Sequence, residues 1–305
     1  MTKFPAPVFP ELIDNTMREA FFVCPQKWFN SFCRGLSPVQ QSVHLLAGAA
    51  FARGLEVTRR SYFQLKHEPN TAIGLGVRAL LEHYGDFEPP DNSNKSATRM
   101  AEALVSYFQQ YPLATDYLQP FIAANGEPAI EFTFAGEIPD VLHPVTGSPL
   151  LYGGRFDMLA VRDGVLFVDD EKTTSQLGAT WSSQWDLNSQ FTGYCWGARQ
   201  HGFPVAGAIV RGISILKNGF GHAQSIQYRP QWVIDRWMEQ LKRDAKRMIE
   251  AWKMQQFDYA LGSACSAYGG CSFKLLCTSP TPDDWVETNY SHRIWDPMHK
   301  GASAS

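Results

Sequence analysis

The apolar positions of this chain change their period partway along it. Between residues 16 and about 115 they recur every three to four residues, the spacing of one helix face. That pattern predicts helices near 17–34, 39–64, 70–84 and 96–110. The acidic, proline-rich stretch from Asp86 to Asp91 separates the last two. Residues 1–15, punctuated by prolines, read as an extended arm. From about 116 onward the alternation has period two, the signature of strands. Ala129 to Phe134 reads as one strand, and 155–172 as two strands joined by a tight turn. A helix is predicted over about 183–200, ending near Gly202. Val205 to Leu216 is apolar and β-branched, a buried strand, with a short partner at His222 to Tyr228. Residues 231–256 form a long amphipathic helix with Val233, Trp237, Leu241, Ala245, Met248 and Trp252 on its inner stripe. Helices interspersed with strands predict an α/β fold, a mixed central β-sheet flanked by helices. Three regions are expected: a helical N-terminal region (1–115), a core (116–230), and the long helix with a cysteine-rich lobe (231–305).

The tight turn is the most specific local signal. Residues 153–174 read GGRFDMLAVRDGVLFVDDEKTT, and Asp163-Gly164 suits a two-residue type I′ turn, which needs positive φ at both positions. That turn pairs Arg162 with Val165 and sets the register behind it: Asp157 falls opposite Asp170, and Arg155 opposite Lys172. By alternation Asp157, Asp170 and Lys172 share a face with Leu159, Val161, Leu166 and Val168. Asp169 and Glu171 point to the other face; making either the reactive acid requires a one-residue slip that breaks the turn register. Both faces are largely apolar, so the hairpin is central and buried rather than an exposed loop with scattered charges. Opposed Cβ atoms lie roughly 5 Å apart, where two carboxylates repel by about 3 kcal/mol at an effective dielectric of about 20. Either one acid keeps its proton or a hard divalent cation such as Mg²⁺ or Mn²⁺ sits between them.

A G-x-x-D strand, a hairpin and then D-x-K-T resemble the metal site of the PD-(D/E)xK nuclease superfamily. Gln190-Phe191-Thr192-Gly193-Tyr194 is similar to the Q-x-x-x-Y helix that follows the D-x-K strand in its RecB-like exonuclease branch. That branch includes iron–sulfur exonucleases of CRISPR adaptation and phage proteins. The resemblance implies a restriction-endonuclease-like core and metal-dependent hydrolysis of DNA phosphodiester bonds in recombination, repair or end processing. It implies metal ligation by Asp157, Asp170, Glu131 and the main-chain carbonyl of Glu171. Lys172 would orient or activate water. Gln190, Tyr194 and Thr173 would contact substrate. Glu131 precedes the hairpin on its own strand, and an exposed edge position is its alternative. One departure stands out. The family's G-x-x-x-H-x-x-L-E helix matches at Gly48, Leu55 and Glu56, but Ala52 occupies the histidine position. Glu56 or Glu131 could complete the shell, and a weakly active or inactive DNA-binding or assembly protein on the same scaffold is the second reading. His44 reads as surface or core.

Six cysteines are present, at 24, 33, 195, 265, 271 and 277. Cys265, Cys271 and Cys277 are spaced C-x5-C-x5-C in a Gly- and Ser-rich segment, and Cys24 begins C-P-x-x-(aromatic). Spacing leaves three options open: a 4Fe–4S cluster, zinc, or plain core thiols. The family resemblance implies the 4Fe–4S cluster, held by Cys24, Cys265, Cys271 and Cys277. A zinc-stapled protein unrelated to nucleases is the third reading of the whole chain. Cys33 and Cys195 read as ordinary buried residues.

Composition adds little to this. A hydrophobic content of 44% with 19% charged residues is globular. The net charge of −3 argues mildly against nucleic-acid binding, though acidic reactive groups offset a local basic groove. Basic residues are available at Arg53, Arg59, Arg60, Lys66, Arg236, Lys242, Arg243, Lys246 and Arg247, and Trp181 and Trp185 could stack on single-stranded bases or pack in the core. No secretory signal and no apolar run of membrane-spanning length is read, so a cytoplasmic location is expected, the host's for a phage-encoded protein. DNA is the implied partner. A recombinase, a single-strand-binding protein or a homo-oligomer is left open.

Overall fold

The computed structural model describes residues 4–40, 42–91, 93–266 and 270–298. Residues 267–269 of the cysteine segment and the GASAS tail lie outside the described residues. In chain order the elements are β1 (Leu12–Ile13), α1 (Asn15–Val23), α2 (Pro25–Trp28), β2 (Leu36–Pro38), α3 (Val43–Phe63), α4 (Pro69–Tyr84), α5 (Ala97–Gln110), β3 (Gln119–Pro120), β4 (Ile130–Leu142), β5 (Pro149–Arg162), β6 (Val165–Thr174), α6 (Ser189–Gln200), β7 (Gly207–Leu216), β8 (Gly219–Tyr228), α7 (Gln231–Met254), α8 (Lys274–Thr278), α9 (Asp283–Asn289) and β9 (Tyr290–His292). The central sheet has seven strands in the order β1-β5-β6-β7-β8, with β3 and β4 also paired to β5. It is mixed: β5–β6 and β7–β8 are antiparallel, whereas β6–β7 and β1–β5 are parallel. The α/β expectation with helices flanking a mixed sheet therefore holds.

Two compact units interleave along the chain. Among the described residues, one comprises Ser42–Phe134 and Arg155–Ile234; the other is Met1–Gln41, Ala135–Gly154 and Asp235–His299. In the first unit, α3, α4 and α5 bury Phe51, Leu55, Leu80, Leu104 and Tyr107 in one cluster that includes Ile213 and Ile215 of β7. The α6 side of the sheet carries Phe191, Cys195 and Ala198, all buried. The turn has the predicted form, with Asp163 at φ 51 and Gly164 at φ 77, and the register runs from Arg162↔Val165 to Met158↔Asp169.

In the second unit, α7 buries Trp237, Leu241, Ala245 and Met248 of its predicted stripe, whereas Trp252 near its end is only half-buried. The same helix buries Asp244, which pairs with Arg18 of α1 at 2.5 Å. Asp14 caps α1, accepting the Met17 N–H at 2.7 Å. Leu36 to Pro38 pairs antiparallel with Tyr290 to His292, a long-range pairing that short segments do not announce.

The strand expected over 129–134 runs on as β4 to Leu142 and the first hairpin strand begins at Pro149, ahead of the expected 155; two helices also differ from expectation. The helix expected over 17–34 is broken at Cys24, which is extended at φ −166 and ψ 108. Pro25 forces this, because the ring disfavours the helical region for the residue before it. The chain then resumes with a short α-helix and a π-helical turn over Phe29–Cys33. The helix expected from 183 begins at Ser189, where Asn188 caps it by accepting the Gln190 N–H at 3.0 Å; only a 3₁₀ turn occupies Ser183–Trp185.

Candidate active site

The expected acids lie where β5 parts from β6. The β5–β6 pairing ends at Met158↔Asp169, while β6 stays paired with β7 out to Thr174↔Ser214. Asp157 is the first β5 residue past that fork. The expected direct opposition of Asp157 and Asp170 thus falls one step beyond the end of the ladder. In its place the Glu171 main-chain N–H donates to Asp157 Oδ2 at 2.9 Å, so the carboxylate itself satisfies a backbone group the strand would have paired. The two acids still feel each other. Burial pushes Asp157 well above the usual carboxylate range, and the charges of Asp170, Glu171 and Glu131 push it further.

Asp170 and Lys172 share the predicted face. The Lys172 ammonium forms an ion pair with Asp170 Oδ1 and sits 5.6 Å from the Phe191 ring centroid on α6. Charge attraction and a hydrogen bond from Lys172 both act on this carboxylate. Burial raises the Asp170 carboxyl, with Lys172 opposing. For Lys172 burial works the other way, but Asp170 and Asp157 outweigh it and hold the ammonium above its ordinary value.

Glu131 lies at the start of β4, buried, with a left-handed φ of 56. For a residue with a Cβ this conformation costs on the order of 1 kcal/mol, so the surrounding contacts hold it there. Its carboxylate pairs with Arg155 Nε at 2.7 Å. Arg155 was expected to face Lys172; it turns instead to Glu131, the nearer anion. Burial raises the Glu131 carboxyl to about 7, with Arg155 opposing and the Glu56 charge adding. Glu131 is therefore not on an exposed edge. Glu56 is held by Arg53 and Arg60 at 2.7 and 3.0 Å, on the same helix as Ala52.

Asp169 and Glu171 point to the opposite face, as the alternation requires. There Arg59 of α3 reaches Glu171 Oε2 at 3.1 Å and Asp169 Oδ2 at 3.2 Å, and the Tyr107 hydroxyl of α5 donates to Glu171 Oε1 at 2.7 Å. Burial alone would raise Glu171, but Arg59 prevails and holds it down to about 2. Arg59 is 4% exposed, so it is no cation for DNA, contrary to the availability expected from its place among the basic residues. Nothing in the sequence marks this cluster; its partners are about a hundred residues apart.

The remaining expected contacts divide. Gln190 donates to the Tyr194 hydroxyl at 2.7 Å, so the two bond to each other along one helix face. Tyr194 is buried and Gln190 half-buried. Thr173 is half-buried, and its hydroxyl would lie 3.9 Å from a Cβ placed on Gly48 of α3. Trp181 is buried and would collide with any side chain at Gly212, so the core option holds for it. His44 is exposed.

The cysteines separate in the same way. Cys33 and Cys195 are buried thiols, and burial raises both, Cys195 to about 12. Cys24, Cys265 and Cys271 are half-buried and Cys277 is exposed. Burial raises Cys277, and the charges of Cys271, Cys24 and Cys265 add to it. The Cys271 N–H donates to Cys265 O at 3.0 Å, and Gln26 N–H to Asp258 O at 3.2 Å ties the Cys24 segment to the chain leaving α7. Among the described residues, no three His, Cys, Asp or Glu side chains are drawn together tightly enough to enclose a metal ion. No helix among them is long and apolar enough to cross a membrane.

One solved structure, described as "Crystal structure of SSO0001", is 12% identical with a TM-score of 0.31, covering 80% of this chain and 89% of its own. No curated protein matches the chain. The family model of the PD-(D/E)XK nuclease superfamily matches residues 18–278, a span that includes the forked hairpin and the helix after it. The chain belongs to the PD-(D/E)XK nuclease superfamily.

Proposed function

We propose that the protein is a metal-dependent DNA exonuclease of the RecB-like branch, acting on DNA ends in recombination or repair. One observation carries the reading. At the β5–β6 fork, Asp157 and Asp170 are buried acids whose mutual repulsion is only partly offset by Lys172. Two buried oxygen-donor acids on adjacent strands, raised chiefly by burial and served by a single ammonium, are a donor set that suits a hard cation. Asp157 and Asp170 would hold Mg²⁺ or Mn²⁺, with Glu131 and the Glu171 carbonyl as further ligands. Bound there, the ion would polarise the scissile phosphate and make hydroxide available near neutral pH.

The chain's own residues have defined parts in this reading. Lys172 stays charged beside Asp170, so it acts as a hydrogen-bond donor that orients the attacking water or a phosphate oxygen, not as a base. Arg155, half-exposed and held by Glu131, adds a cation at the same site. Gln190 keeps Tyr194 in place, and Thr173 with Gln190 faces the substrate side.

Cys24, Cys265, Cys271 and Cys277 hold a 4Fe–4S cluster in this reading, with zinc as the rival. The influence of the Cys24, Cys265 and Cys271 thiols on Cys277 supports a shared ligand. The purified protein should be brown with visible absorbance; a colourless protein with stoichiometric zinc overturns the cluster.

The test of activity is incubation with Mn²⁺ and end-labelled single- and double-stranded DNA. Stepwise loss of label from an end is expected. No cleavage at any Mn²⁺ concentration favours the second reading, a DNA-binding protein on the nuclease scaffold, which Ala52 in place of a histidine supports.

A further inference from the structure

Behind the strand that carries Asp170 and Lys172 lies a buried ionic group that the proposed chemistry does not use. Arg59 sends its guanidinium from α3 to the Glu171 and Asp169 carboxylates, and the Tyr107 hydroxyl adds a bond to Glu171 from α5. Arg59 and Asp169 are 4% and 0% exposed, and the Glu171 side chain 1%. Isolated surface pairs stabilise little, but here three charged groups are removed from water together and would be costly if any one were misplaced.

The geometry continues through the backbone. The residue whose side chain Arg59 grips is the residue whose N–H donates to Asp157 Oδ2 at 2.9 Å. Glu171 is therefore gripped on one side of the sheet and grips Asp157 with its main chain. At this point β5 has left β6, so no ladder bond from β5 fixes the orientation of that N–H. The pairing with β7 holds β6 on its other edge only.

We propose that Arg59 is a positioning residue for the acid at the fork: by anchoring the Glu171 side chain it fixes the peptide whose N–H orients Asp157. This rests on the nuclease reading for its catalytic consequence, though not for its geometry. It also gives α3 a part in the site even though Ala52 carries no ligating group: the helix contributes through a guanidinium two turns further on.

Arg59→Met alone leaves Glu171 and Asp169 buried without a counter-charge, which by itself destabilises the fold. The three are therefore neutralised together, as Arg59→Met with Glu171→Gln and Asp169→Asn, and compared with Arg59→Lys. Thermal denaturation, Mn²⁺ binding by calorimetry and steady-state DNA cleavage are measured on the full-length proteins. The triple variant is expected to keep a melting temperature close to that of the parent and an unchanged KM for DNA. Its kcat should fall about 100-fold, the scale of a roughly 1 Å misplacement, with weaker Mn²⁺ binding. Arg59→Lys should recover part of both losses. Parent-like kcat and Mn²⁺ affinity in the folded triple variant overturn the proposal, as do losses that track the melting temperature across all variants. If the parent itself cleaves nothing, the nuclease reading fails, and Mn²⁺ affinity alone decides the role of Arg59.

Discussion

The acid fork and the cysteine lobe hold their reactive groups by opposite means. At the fork, Asp157, Asp170 and Lys172 project from adjacent strands, over a floor that includes Leu159 and Val168, both fully buried. Backbone pairing, a register-setting turn and the ionic group around Arg59 place these side chains before any ligand arrives. Near Cys271 the described residues form a small buried apolar cluster of Leu36, Phe273, Leu276, Val286 and Tyr290. The thiols sit on loops and short helices and remain partly exposed. A site built on strands is preorganised and can be altered in charge without losing its shape. A site built on loops takes much of its order from what it binds, so its ligands contribute to folding itself.

Mutations at the two places should separate along that line. Asp170→Ala or Lys172→Ala is expected to reduce DNA cleavage by roughly a thousandfold, within the range for loss of a catalytic group, with near-parental melting and visible absorbance. Activity surviving in the Lys172→Ala protein removes the part assigned to that ammonium. Cys271→Ala should do the reverse, lowering soluble yield and melting temperature markedly while Asp157, Asp170 and Lys172 are untouched; equal stability with and without this thiol would mean the lobe orders without a ligand.

Two smaller effects test the framework itself. A Cβ on Gly197 would lie 2.2 Å from the Phe134 ring, so Gly197→Ala should destabilise by about 1–3 kcal/mol through overpacking, read from urea unfolding. A parental unfolding midpoint would show that α6 shifts freely. The smallest effect concerns Asp14. Burial raises its carboxyl, with the Met17 N–H opposing. A folded-state value above the unfolded one means that the native state binds the proton more tightly. The contribution of Asp14 to stability is then largest below the ordinary carboxylate range and falls as pH rises through the raised value. Asp14→Asn keeps the cap without the charge, so it should flatten this dependence in thermal denaturation between acid and neutral pH; an unchanged slope rules Asp14 out as its source.

Much of the architecture is legible in the sequence because short-range rules set it. The helices at 43–63, 69–84 and 97–110 lie within a few residues of where periodicity puts them. Asp163-Gly164 fixes the parity that sends Asp170 and Lys172 one way and Asp169 and Glu171 the other. The break at Cys24 was also legible, since Pro25 follows it, but the apolar period suggests continuity and prevails in a reading by pattern. What pattern does not carry is pairing at a distance. The contact of Arg59 with Glu171 spans 112 positions, and that of Arg211 with Asp116 spans 95. In the sequence each of these arginines is one basic residue among many. The end of the β5–β6 ladder was equally hidden: alternation continues through Asp157, and only the departure of the strand shows that its carboxylate replaces a ladder partner.

The order of segments in the two interleaved units has a practical consequence. The chain passes from one unit to the other at 41/42, 134/135, 154/155 and 234/235, and the passages at 134/135 and 154/155 fall inside single strands, β4 and β5. No contiguous stretch of the gene encodes either unit. Expression of a trimmed fragment, the usual way to separate a reactive centre from an accessory lobe, would cut through the sheet in either case; here dissection has to proceed by point substitution.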